Sequence, residues 1–109
     1  MLSRDAISEA IRKAPDHGPA LVAFMTAGFP TCQRFAASLR AIAEAADVVE
    51  IGVPFSDPMA DGMTIQRSSR IALEQGATLD WILAELATLA TQSRTPLLLM
   101  SYLNPLLAY

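Results

Sequence analysis

The chain has 109 residues, of which 52% are hydrophobic and 17% are charged, so its length allows one small domain and its composition argues against disorder. The chain has eight Lys and Arg residues, eleven Asp and Glu residues and no run of basic residues. It therefore lacks the positively charged surface expected of a nucleic-acid-binding protein. No stretch reaches about 18 consecutive apolar residues, and the N-terminal segment is charged, so we expect a cytosolic protein without a membrane span.

Cysteine and histidine limit the chemistry further, because the chain has one of each, Cys32 and His17. One cysteine cannot form an internal disulfide, and the two residues are too few for a zinc cluster, so no metal cofactor is expected. Cys32 lacks a nearby partner that would make it a nucleophile, and His17 is expected in a surface loop. Phosphate-binding glycine motifs are missing from the sequence.

Hydrophobic spacing predicts alternating helices and strands in the first half of the chain. Apolar residues one helical turn apart indicate amphipathic helices, and Thr31 is expected to cap the second of them. Unbroken apolar or β-branched runs indicate strands buried on both faces, as in parallel sheets. The predicted elements are a helix at 3–14, a strand at 20–26, a helix at 31–46 and a strand at 47–54.

The second half opens with a loop, since its first residues mix Ser, Pro, Gly and two acids without a period. Gly76 is expected just beyond the end of the next helix, and Thr78 just before the start of the one after it. The predicted elements are a loop at 55–63, helices at 64–74 and 79–89, a strand at 96–102 ended by Asn104 and Pro105, and the start of a helix at 106–109.

This order of elements predicts a parallel α/β sheet of three strands. Both edges of such a sheet are unpaired, and its apolar strands require neighbours. A barrel of eight β/α units needs about 250 residues. We therefore expect residues 1–109 to form part of such a barrel, truncated after the third strand, and to be poorly soluble or self-associating when alone.

The most informative residue is Glu50, because it lies in the middle of a strand that should be buried on both faces. Desolvation of a carboxylate favours its protonated form, which suits a group that donates and accepts protons. Alternation places Glu50 on one face with Val48 and Gly52, and the glycine is expected to leave open space beside it. The alternatives are that Glu50 meets a buried arginine or backbone donors, or that it faces solvent from a strand end.

Two further carboxylates, Asp57 and Asp61, follow in the loop at the carboxyl end of the same strand. Folds of the α/β class build their active sites at that end, so we expect Glu50 and Asp61 to share a cavity. Asp57-Pro58 and Asp61-Gly62 are also ordinary turn sequences. The residues alone therefore predict a site without naming a reaction.

Four segments together closely resemble the tryptophan synthase α-subunit family. They read ADVVEIGVPFSDPMADG at 46–62, FMTAGFP at 24–30, TIQ at 64–66 and LMSYLNP at 99–105. Because these segments occur in fixed order over nearly the whole chain, the chain is identified as a member of this family. One departure is Met63, where the family usually has a proline whose loss is expected to loosen the loop.

The resemblance implies a fold and an activity. The fold is the N-terminal portion of a (β/α)8 barrel, about three strands with an N-terminal helix. The activity is that of a carbon–carbon lyase of tryptophan biosynthesis, which cleaves indole-3-glycerol phosphate to indole and glyceraldehyde 3-phosphate without a cofactor of its own. Indole passes to a β subunit that carries pyridoxal phosphate, in an α2β2 tetramer.

The resemblance also implies roles for individual residues. Glu50 is the acid/base, and Asp61 accepts the hydrogen bond of the indole N–H and stabilises positive charge on the ring. Phe24 and Met100 correspond to positions that line the indole pocket, and Asp57, Asn104 and Pro105 resemble the surface that meets the β subunit.

The family's later strands, its mobile loop and its glycine-rich phosphate site would lie beyond Tyr109. Without the phosphate site, much of the binding energy that positions substrate is missing, so residues 1–109 alone are expected to be inactive. The alternative is a catalytically inactive short homologue that binds the β subunit. A third possibility, another barrel enzyme acting on a phosphorylated sugar, is disfavoured by the specific motif.

Overall fold

The structure, a computed structural model, describes residues 3–109 apart from the side chains of Pro15 and His17. The expected surface position of the His17 side chain therefore lies outside the described residues. The elements in chain order are α1 (Ser3–Lys13), a 3-10 turn (Ala14–His17), β1 (Val22–Thr26), α2 (Cys32–Ala45), β2 (Val48–Gly52), α3 (Met63–Glu74), α4 (Leu79–Ala90), β3 (Leu97–Met100) and α5 (Leu103–Leu107).

The three strands form one parallel sheet in the order β1-β2-β3, as the alternation of elements predicts. Register pairs Phe24 with Glu50 and Glu50 with Leu98, so these three residues lie in one row across the sheet. Partners in such a row point to the same face, and successive residues of a strand point to opposite faces. The sheet therefore has two distinct surfaces.

One surface, the helix-facing side, carries the hydrophobic core. Val49 and Ile51 of β2 are fully buried there, against Phe35 of α2 and Ile82 of α4. Phe35 also packs on Trp81, with ring centroids 5.6 Å apart. The apolar stripes predicted for α2 and α4 supply this layer, and their burial holds the helices on the sheet.

The opposite surface, which we call the inner face, is mostly apolar and only partly covered. Val22 is 45% exposed, and Leu98 and Met100 are each 41% exposed. The expectation that all three strands are buried on both faces is therefore wrong for β1 and β3. Val48 is buried on the inner face, whereas Leu99 on the helix-facing side of β3 is 38% exposed, so the exposed apolar side chains belong to the two outer strands.

Local signals in the sequence set the helix ends. The side chains of Thr31 and Thr78 accept hydrogen bonds from the first turns of α2 and α4, as predicted. Gly76 has a φ of 91° just beyond α3, the left-handed conformation expected there.

Helix α5 begins earlier than predicted, at Leu103 instead of residue 106. Asn104 and Pro105 lie in its first turn, where a missing proline N–H leaves no helical hydrogen bond unmade. The proline that was expected to separate a strand from a helix is therefore inside the helix. Among residues 3–109, no helix has the length and apolar character needed to cross a membrane.

Candidate active site

The loop between β2 and α3, residues 53–62, brings its acidic residues to the carboxyl edge of the sheet. It is folded by short-range hydrogen bonds: Met59 N–H donates to the carbonyl of Asp57 at 2.9 Å, and Asp61 N–H donates to the carbonyl of Pro58 at 3.1 Å. A glutamine in α3, Gln66, donates from Nε2 to the carbonyl of Asp61 at 2.8 Å. The loop is thus built from turns and tied to the helix that follows it.

A cavity of about 230 Å³ lies at this edge of the sheet. The last residue of each strand contributes to it, because its walls include Thr26, Gly52 and Met100. Phe24 and Asp61 also line it. The structure therefore brings together three of the residues predicted for the site, Phe24, Asp61 and Met100.

Glu50 lies on the inner face but does not line this cavity, contrary to the expectation that Glu50 and Asp61 share one. The expectation that Gly52 leaves open space beside Glu50 is wrong, because the Phe24 ring lies over that glycine. A Cβ built on Gly52 would be 2.6 Å from Cζ of Phe24. The ring lies over the next inner-face position of β2 after Glu50, and Phe24 and Gly52 both line the cavity that Asp61 lines.

The surroundings of Glu50 bear on the alternatives left open by the sequence. Among the side chains that the structure describes, none donates a hydrogen bond to its carboxylate, and no arginine forms an ion pair with it. The residue is in the middle of β2, not at a strand end, and it is half-buried. Its remaining contact with solvent follows from the partly covered inner face of the sheet.

Tyr102 is a residue of the site that the sequence analysis did not single out. Its hydroxyl oxygen accepts a hydrogen bond from the backbone N–H of Ala60 at 2.9 Å, and its side chain lines the cavity. Its ring also packs against Phe55, with centroids 5.2 Å apart. The available signal was its place directly after a parallel strand, where α/β folds collect functional residues.

The residues expected at a partner surface lie on a different part of the same edge. Asn104 and Pro105 line a groove of about 320 Å³ together with Phe55 and Ser56. Asp57 is exposed and follows Ser56 directly in the chain, although it does not line the groove. The structure therefore brings Asn104 and Pro105 next to the first half of the loop, and Val53 lines both this groove and the cavity that Asp61 lines.

Cys32 is placed where its thiol is kept protonated. Burial raises the pKa of this thiol, and the Glu85 carboxylate raises it further because it repels a thiolate. The Sγ atom donates to the carbonyl of Gln75 at 3.3 Å. No group of three His, Cys, Asp or Glu side chains able to hold a metal ion occurs in the described part of the chain.

Comparison with known proteins identifies the family. Residues 11–109 match the family model described as tryptophan synthase alpha chain. A tryptophan synthase alpha chain from Nitratidesulfovibrio vulgaris is 48% identical over an alignment of 110 residues, gaps counted, that covers 99% of this chain and 43% of the relative. One from Desulfovibrio desulfuricans is 50% identical over 105 residues, covering 94% of this chain and 41% of the relative.

Solved structures agree with the sequence comparison. Tryptophan synthase subunit alpha from Legionella pneumophila superposes with a TM-score of 0.86 at 33% identity, over 95% of this chain and 41% of that one. A chain of the tryptophan synthase α2β2 complex from Pyrococcus furiosus gives 0.76 at 40% identity, over 82% of this chain and 38% of that one. The chain thus spans about two fifths of its relatives' length, and its three parallel strands and helices match the N-terminal portion of a TIM barrel. It belongs to the tryptophan synthase alpha chain family.

Proposed function

We propose that this chain provides the N-terminal strands of a lyase that cleaves indole-3-glycerol phosphate to indole and glyceraldehyde 3-phosphate in tryptophan biosynthesis. The observation that carries the proposal is the cavity at the carboxyl ends of β1, β2 and β3, whose lining includes Asp61 together with the apolar residues Phe24 and Met100. An apolar cavity with one carboxylate suits an aromatic ring that bears a single N–H donor.

Glu50 is proposed as the acid/base of this cleavage. Protonation of the indole carbon that carries the glycerol chain places a positive charge on the ring. Removal of the proton from the adjacent hydroxyl group then breaks the carbon–carbon bond, forms the aldehyde and returns the bonding electrons to the ring. Both steps need a group that gives and takes protons at one place, and general acid–base catalysis contributes about 10²–10⁴-fold.

Asp61 is proposed to stabilise the charge that develops between those two steps. Its carboxylate would accept a hydrogen bond from the indole N–H, and this bond strengthens as the ring becomes positive. The position of Asp61 in a loop held by hydrogen bonds on both sides supports this role, because a fixed anion needs little reorganisation.

The complete catalytic unit is proposed to include strands beyond the three described, since the relatives are more than twice as long as this chain. Residues 1–109 alone are therefore expected to lack lyase activity. The partner is proposed to be a β subunit that carries pyridoxal phosphate in a cytoplasmic α2β2 tetramer, contacted through Asp57, Asn104 and Pro105. The groove beside Asn104 and the match to the α2β2 complex from P. furiosus support this assignment.

A second candidate, a catalytically inactive homologue that binds the β subunit, is favoured by one observation: Glu50 does not line the cavity that Asp61 lines. The two candidates differ in what they require of Glu50 and Asp61. A lyase needs both carboxylates, whereas a binding module needs the exposed groove around Asn104.

The test is a chimera in which residues 1–109 replace the corresponding segment of the L. pneumophila relative, assayed for indole formation. Activity should fall at least 100-fold on Glu50→Gln and on Asp61→Asn. Glu44→Gln is the matched control, since Glu44 is exposed on α2. An active chimera that is insensitive to Glu50→Gln would refute the proposed role. An inactive chimera that still binds the β subunit would favour the second candidate.

A further inference from the structure

Tyr102 connects the end of β3 to the part of the loop that carries Asp61. Its hydroxyl oxygen accepts from the N–H of Ala60, the residue directly before Asp61, and its ring contacts Phe55 near the start of the loop. One side chain therefore touches both ends of the segment that joins β2 to α3. We propose that Tyr102 is a positioning residue that sets the place of the Asp61 carboxylate in the cavity, an inference that rests on the proposed function.

The first support is the pattern of hydrogen bonds around Asp61. The N–H of Ala60 is held by Tyr102, the N–H of Asp61 by the carbonyl of Pro58, and the carbonyl of Asp61 by Nε2 of Gln66. The peptide groups on both sides of Asp61 are thus tied to other parts of the structure. Of these three bonds, only the one that Tyr102 accepts reaches beyond the loop and α3, to the segment that follows β3.

The second support is that Tyr102 is itself fixed. Its backbone lies at the N-cap of α5, and its carbonyl accepts a hydrogen bond from Oγ of Ser101 at 2.7 Å. Its ring is packed on Phe55 at a tilt of 33°. Just before it, the carbonyl of Met100 accepts from the N–H of Val53 at 2.9 Å, which joins β3 to the start of the loop. The hydroxyl group is therefore a fixed acceptor, and Ala60 takes its position from it.

The consequence concerns the position of Asp61 in the cavity that it lines together with Met100. If the bond to Ala60 is lost, the loop keeps its turn at Pro58, its contact with Gln66 and its attachment to β3 through Val53, but the part beside Asp61 is no longer held by Tyr102. A carboxylate that acts on a developing charge is sensitive to displacements of this kind, because catalysis depends on alignment. Loss of one neutral hydrogen bond, about 1 kcal/mol, corresponds to a rate change of about fivefold.

Tyr102→Phe tests the inference in the chimera, since it removes the hydroxyl group and keeps the ring on Phe55. We expect kcat for indole formation to fall about fivefold to tenfold, with KM changed less than twofold. Amide hydrogen exchange at Ala60 should accelerate by a similar factor, and exchange at Val53 should not. Glu44→Gln, at an exposed position on α2, is the control and should leave both quantities unchanged.

A double-mutant cycle separates positioning from a general structural effect. In an Asp61→Asn background, Tyr102→Phe should lower the residual kcat less than twofold, because the group it positions is already altered. An equal loss in both backgrounds, or faster exchange at Ala60 without any loss of kcat, would overturn the inference. Failure of the proposed function has a different signature, in which Asp61→Asn and Glu50→Gln leave kcat unchanged.

Discussion

The Phe24 ring lies over Gly52 on the inner face, and this contact gives a quantitative expectation for the stability of Gly52→Ala. The added methyl group would lie 2.6 Å from Cζ and 2.9 Å from Cε2 of the Phe24 ring. Carbon atoms are in favourable contact at about 3.5–4.0 Å, so the ring tip has to move by roughly 1 Å. Overpacking of this kind lowers the free energy of unfolding by about 1–3 kcal/mol. We expect a value in the lower half of this range because the tip of the ring can move aside.

An opposing effect comes from the unfolded chain, because replacing glycine by alanine reduces its conformational entropy and stabilises the fold by about 0.4–1 kcal/mol. The net expectation for Gly52→Ala is a loss of about 1 kcal/mol in the free energy of unfolding. Phe24→Leu lacks both ring atoms that cause the clash. In that background, Gly52→Ala should instead stabilise the protein by about 0.5 kcal/mol, so the sign of its effect reverses.

The assay is equilibrium urea unfolding of the 109-residue chain and its three variants at low protein concentration, followed by the emission of its one tryptophan, Trp81. Trp81 packs on Phe35 in the helix-facing core, away from the substituted pair, so it reports unfolding and not the local change. The same loss of stability in both backgrounds would refute the reasoning, because the Phe24 ring would then not be what the new methyl group meets.

Three further expectations follow from the contacts described above. The hydroxyl groups of Thr26 and Ser68 are buried and 2.8 Å apart, and Ser68 alone has a second partner, a backbone carbonyl. Ser68→Ala should therefore lower the free energy of unfolding in urea by about 1–3 kcal/mol, and Thr26→Val by only about 0.5–1.5 kcal/mol. Iodoacetamide should label Cys32 more slowly at pH 8 in the folded than in the unfolded chain, since its raised pKa lowers the thiolate fraction. Glu85→Gln should speed that labelling. The 109-residue chain should elute from a sizing column as concentration-dependent oligomers, and Leu98→Lys should shift it toward the monomer; a sharp monomer peak at all concentrations for the unsubstituted chain would contradict this.

Sequence patterns predicted most of the fold because the signals that fix helices and strands are local. The apolar spacing in residues 31–46 placed Phe35 and Leu39 in the core, and threonines at the right offsets identified the N-caps of α2 and α4. Each of these features depends on residues within one or two turns of each other. The parallel order of the strands followed from the alternation of elements.

The errors arose where residues distant in the chain meet. The Phe24 ring fills the space over Gly52, and Tyr102 reaches Ala60 across 42 positions. No periodicity encodes either contact, because each depends on how neighbouring strands align their side chains. The early start of α5 is a local error with a different cause, since Pro105 was treated as a helix stop although a proline is tolerated in a first turn.

The partly covered inner face links the stability of this chain to the proposed chemistry. Val22, Leu98 and Met100 present apolar surface to water on the same face as Glu50. Covering these side chains is favourable by about 25 cal/mol per Å², so further strands of a barrel or another molecule should close over this face. The same closure would remove water from around Glu50, which strengthens electrostatic interactions inside the site. Burial of this apolar surface therefore both drives the described strands to associate and excludes water from the proposed acid/base. A chain whose inner face stays open should self-associate and should be inactive.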